Sequence, residues 1–111
     1  MARTANPGTT SSVVAAVSLT KRRFVGFDGA LAAAGAKAFG VVDISTDAGQ
    51  PAPVQLNGVL LVEAGAAIAA KAEIEINALG QAITKSAGVS NGFAVDAAAG
   101  TGDIIRIARG I

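Results

Sequence analysis

A period of two runs through much of this chain. Glu73-Ile74-Glu75-Ile76 alternates strictly, and the even positions Val54, Leu56, Leu60 and Val62 could share one face. That spacing belongs to strands with one buried and one wet side. The second run passes straight through Asn57-Gly58, a dipeptide that alone signals a tight hairpin. Because the alternation survives, it predicts one long strand with Gly58 at a bulge or close approach.

The stretch from Gly58 to Ile76 organises the rest. Val59 to Val62 leads into Glu63-Ala64-Gly65 and then a compact Ala/Ile segment, Gly65 to Lys71. This segment is too short for an independent helix and predicts a single helical turn lying on a sheet, with Ile68 as anchor. The returning strand should point Ile74 and Ile76 inward and Glu73 and Glu75 outward. Further strands are expected at Phe39 to Ile44, at Ala82 to Lys85 (a hairpin partner of Glu73 to Ile76), at Gly92 to Asp96 and at Asp103 to Arg109. In the last, Ile105 and Ile107, or one of them with Ile104, face the core while Arg106 and Arg109 stay wet. Pro51 and Pro53 mark the start or edge of a strand, since neither can donate to a ladder. Short strands joined by Gly-rich turns make this a mainly β, all-β single domain, a small barrel or sandwich.

The N-terminus breaks the rhythm. Ala2 to Ser12 is rich in Thr, Ser, Gly, Asn and Pro, and Val13 to Leu19 is β-prone. Residues 1–19 are therefore expected to form a flexible arm on a β-rich domain of residues 20–111. The arm would be mobile in the free protein and ordered by a partner through addition of a strand to a sheet edge; the alternative is a frayed end. Its candidate contacts are Thr9, Thr10, Ser11, Ser12, Val13, Val14, Val17 and Leu19. Lys21-Arg22-Arg23 precedes Phe24 and Phe27, a pairing that nucleic-acid binders use for phosphates and stacking. Here it is short and offset by acidic residues elsewhere, so Lys21, Arg22 and Arg23 read as a charged strand end offering rim contacts.

Composition narrows the chemistry. The 111 residues include 26 Ala and 14 Gly but four Phe, with no Cys, His, Trp or Tyr. Disulfides, thiolate metal sites and the usual general base near neutral pH are thereby removed. Charged residues make up 15%, against roughly a quarter in an average domain, with a net charge of +1. So sparse a surface predicts burial against copies of the chain or a large partner. No apolar run nears the ~20 residues that cross a bilayer, and Val13 to Leu19 is too short for a secretory signal.

Near-matches to reactive motifs fail. Gly65 and Lys71 have the spacing of a phosphate-binding loop, but Ala70 and Ala72 stand where it needs Gly and Ser or Thr. Gly100-Thr101-Gly102 lacks a third glycine and opens a strand. Asp43 and Asp47 lack the oxygen-rich spacing of a calcium loop. Lys71 and Lys85 lack the flanks of a lipoyl or biotinyl carrier site, and Glu73 with Glu75 reads as the wet side of a strand. No catalytic, cofactor-binding or metal-binding residue is expected, and no enzyme.

Arg23 to Gly29 (RFVGFDG), Ala38 to Asp43 (AFGVVD), Leu56 to Ile74 (LNGVLLVEAGAAIAAKAEI), Leu79 to Thr84 (LGQAIT) and Gly92 to Ile107 (GFAVDAAAGTGDIIRI) occur in an order that resembles the capsid cement, or head decoration, proteins of tailed bacteriophages. The resemblance covers about residues 20–109. Lys71 departs from it, standing where such proteins often have Gly. The resemblance implies a β-tulip fold and a place on the outer surface of the virion, where neighbouring major capsid protein subunits meet. It also implies self-association, commonly as trimers; a net charge of +1 gives no strong field toward nucleic acid or membrane, and neither is expected as a partner. Residues 2–19 would be the capsid-facing arm. The alternative is a small structural or carrier subunit of another complex, such as a phage tail or neck component.

Overall fold

A computed structural model describes residues 6–110. The alternating run through Asn57-Gly58 is one thirteen-residue strand, β4 (Pro51–Glu63), and the other elements are placed by it. In chain order they are β1 (Asn6–Val14), β2 (Phe24–Val25), β3 (Gly40–Val42), β5 (Ile74–Ile76), β6 (Ala82–Thr84), β7 (Phe93–Ala94) and β8 (Ile104–Arg109). The main sheet runs β2-β3-β4-β8-β7, with β1 added to β4, and β5-β6 forms a separate hairpin; every strand pairing is antiparallel.

Register shows how β4 serves three partners. Val54 pairs with both Ser11 and Val42, and Gly58 with both Pro7 and Arg109. So β1 holds one edge of β4, while β3 and β8 divide the other. The expected irregularity at Gly58 is present: its φ is 99°, and the β1 register shifts around Thr9, opposite Asn57.

Two apolar clusters fill the body. The larger gathers Leu60, Val62, Ile74, Ile76, Ile105 and Ile107 with Phe24 and several alanines. The smaller holds Ala15, Leu19, Val25, Val42, Ala52 and Val54, with Val13, Phe39 and Leu56 against it. The even positions of β4 thus contribute to both.

Three expectations are corrected. Residues 65–71 contain no helical turn. Ile68 exchanges two backbone bonds with Ala98, at 3.0 and 2.9 Å, so the segment is held open across the sheet. Ile68 is the buried anchor, and Lys71 takes φ 73°, the left-handed conformation that glycine adopts most easily. Glu75 does not face water. It is buried between Ile74 and Ile76, because its carboxylate accepts bonds from Ser86 N–H, Ser86 Oγ–H and Gly88 N–H and so closes the loop after β6. Those donors hold its carboxyl below the usual range, the Ser86 and Gly88 amides first. Arg109 does not stay wet either. Its guanidinium donates to the carbonyls of Ala38, Phe39 and Leu56 and ties the end of β8 to the approach to β3.

Candidate functional site

Among the described residues, no group of three or more His, Cys, Asp or Glu side chains could hold a metal ion. Two exposed surfaces are open to another protein.

The first surface is β1. Its nine residues pair with β4 along one edge, and among the described residues no strand pairs with the other. Residues 8–12 are exposed, so neither face of this part is covered. A strand with a bare edge usually carries charge or a protective bulge against unwanted pairing. Residues 4–20 contain no charged side chain, so the irregularity at Thr9 is the protection this edge carries, and from Thr10 to Val14 the register is regular. The Thr/Ser composition that makes this segment read as an arm also makes it a tolerant pairing edge, because small hydroxyl side chains block neither face.

The predicted contact residues divide on this surface. Thr9, Thr10, Ser11 and Ser12 are exposed, Val13 is half-buried against the smaller core, and Val14 and Val17 are 63% and 46% exposed. Leu19 is different. At 2% exposure it sits inside the smaller core and bridges to Thr46, so its side chain is withdrawn from any partner. Residues 1–5 of the expected arm lie outside the described residues.

Nor do the three basic residues form one patch. Lys21 is exposed, and its N–H donates to Ser45 Oγ. Arg22 takes φ 66° and is pinned by backbone bonds to Val42 and Glu63. Arg23 turns inward and pairs with Glu63 at 3.0 Å, and Gln81 donates to the same carboxylate oxygen. Lys21 and Arg22 remain as rim candidates, while the guanidinium of Arg23 is engaged within the chain.

Beside the end of β1 lies an apolar area that the sequence did not announce. Ala16 N–H donates to Gly29 O at 3.0 Å and brings the Asp28-Gly29 turn against the chain leaving β1. Gly29 has φ 86°, and a Cβ there would meet Val14 O at 2.1 Å, so glycine permits the contact. The turn carries Phe27, which is 69% exposed and touches Phe39 with ring centroids 5.3 Å apart. With Val14 and Val17 nearby, and Ile44 exposed beside the Leu19–Thr46 bridge, large apolar side chains collect at this end. A clue was available in Phe27, an aromatic just before a turn, where core packing is hard to arrange.

Comparison with known proteins adds two findings. The phage cement protein family matches residues 5–109 of this chain. The fold is similar to that of the head fiber gp8.5 N base in bacteriophage phi29, with a TM-score of 0.78 and 17% identity, over 92% of this chain and 93% of that one. At that identity the likeness speaks for the fold. No curated protein matches the sequence.

Proposed function

This chain belongs to the phage cement protein family and is a structural protein of a phage virion, and on that basis we propose that it binds the outer surface of the head, bridges neighbouring major capsid protein subunits and holds them together. Such a task needs no reactive group. It needs interface area on both sides of a seam that packaged DNA strains. Several modest contacts, linked through one rigid body, give an avidity that none of them has alone.

The observation that carries this reading is the bare, uncharged outer edge of β1. An extended segment of a capsid subunit pairing along Thr9 to Val13, up to where the Gly29 turn lies against Val14 O, would gain main-chain hydrogen bonds, with Thr9 to Ser12 and the side chain of Val14 at the contact. Lys21 and Arg22 would lie at the rim. The apolar end formed by Val14, Val17, Phe27 and Ile44 suits a second contact, and self-association, as a trimer, would cover it.

Co-sedimentation with expanded, undecorated heads over a concentration series tests the proposal. Deleting residues 2–12 should weaken attachment roughly tenfold or more, a loss of about 1.4 kcal/mol or more. The double substitution Thr9→Lys and Ser11→Lys should do likewise while leaving the fold in place, because lysine on an exposed edge opposes strand addition without crowding a core. Binding curves of both variants superimposable on that of the intact chain would overturn the role of β1.

A further inference from the structure

At the end of β8, Lys37, Ser90, Asn91, Phe93 and Arg109 line a cleft of about 170 Å³, and among the described residues that line it none is acidic. Arg109 is the unusual member. It is 7% exposed, and every bond from its Nη atoms ends on a neutral acceptor: the carbonyls of Ala38, Phe39 and Leu56, and Asn91 Oδ1 at 3.5 Å. Its Nε has no hydrogen-bond partner among the described residues. These acceptors satisfy hydrogen bonds and hold the group rigid, but they leave its full charge in place. Burial pushes its pKa down, and among the described residues no carboxylate acts in the opposite direction. A guanidinium nevertheless stays protonated at neutral pH. A buried charge without a counter-ion is costly, which is why such groups are normally paired.

Lys37 adds a second positive charge at the exposed rim. Its Nζ donates one bond to Ser90 O, at 3.0 Å, and an ammonium has three donors. Glu75, the carboxylate that closes the neighbouring loop, accepts its bonds from Ser86 and Gly88, and the lysine acting on it is Lys85. Glu75 is thus engaged away from the cleft, whereas the exposed Glu73, opposite Phe93 in an antiparallel bridge, is the acidic neighbour at its rim and has no hydrogen bond to Lys37 or Arg109 among the described residues. Phe93, 38% exposed, supplies an apolar wall beside the two cations.

We propose that this cleft receives a carboxylate, the side chain of a glutamate or aspartate on a partner protein. Lys37 would donate to the carboxylate oxygens, Phe93 would cover the aliphatic stem, and Arg109, its Nη hydrogens already engaged, would act through its fixed field. A free inorganic oxyanion shares the charge but has no stem for Phe93 to cover. The cleft would thus be a contact additional to β1, and its test requires no capsid.

The experiment is a titration of the full-length, isotope-labelled protein followed by amide chemical shifts. Three probes are used: a capped glutamate with a free side-chain carboxylate, the equally capped glutamine, and inorganic phosphate. Saturable shifts confined to Lys37, Ser90 to Phe93 and Ala108 to Gly110 are expected with glutamate and absent with glutamine. They should weaken as salt rises. Lys37→Gln, at an exposed site that leaves the fold intact, should weaken glutamate binding roughly fivefold or more, and Lys37→Arg should retain it. Three results would each overturn the proposal: equal responses to glutamate and glutamine, tighter binding of phosphate than of glutamate, or no effect of Lys37→Gln.

Discussion

The two halves of β4 share one alternating pattern and have different surroundings. From Gly58 to Glu63 the strand pairs with β8, and Leu60 and Val62 lie at the centre of the larger core. From Pro51 to Asn57 it pairs with β1, whose residues 8–12 are exposed, while Ala52 and Val54 face the smaller core. Alternation marks the buried face of both halves equally well. It cannot say whether the partner strand is itself covered. The second half is therefore built for stability, and the first supports an edge that faces outward.

Substitution at the centre of the larger core should have the largest effect. Ile74→Asp would bury an unpaired carboxylate where exposure is 0%. The cost of several kcal/mol is a large part of the ~5–15 kcal/mol that holds a domain together, so this variant should fail to give a cooperative unfolding transition. Next come the two halves of β4 compared directly. Leu60→Ala should cost about 2–5 kcal/mol in urea denaturation, and Val54→Ala about 2 kcal/mol, because fewer buried carbons are removed and the core around it is smaller. Equal losses would mean that the two cores are one.

A smaller and pH-dependent effect is expected at Glu75. Its folded pKa lies below the ordinary 4.5. Its contribution to stability is therefore complete above that value and lost as pH falls through the folded pKa. Glu75→Gln should lower the denaturation midpoint near pH 7, and the difference from the parent chain should shrink under acid conditions. A constant difference across that range would remove the charge from the explanation. Deleting residues 2–12 removes the ladder from Asn6 to Ser12 but none of the described residues of either apolar cluster, so it should lower the midpoint less than Leu60→Ala, whereas deletion through Val17 would also remove Ala15 from the smaller core.

These cases show what the sequence could and could not disclose. The long strand, the hairpin of β5 with β6 and the inward Ile105 and Ile107 were legible, because side-chain alternation is a local property. Glu75 was not. In sequence it resembles Glu73, and what buries it is a loop more than ten residues later whose amide groups converge on its carboxylate. Arg109 was hidden for the same reason, since its acceptors come from residues 38, 39 and 56. Leu19 had the composition of the arm but the burial of the core. The Thr/Ser tract was visible as a segment able to pair. That its partner on one side is β4 of its own chain follows from topology, which no local pattern encodes.

The measurement that bears most directly on the function proposed for β1 is a cryo-electron microscopy map of expanded heads saturated with this protein, at a resolution that separates strands. We expect density for a capsid segment running alongside Thr9 to Val13, about 4.8 Å from the β1 backbone, the spacing of neighbouring strands in a sheet. A map in which the protein is bound with the outer edge of β1 open to solvent would contradict the proposal.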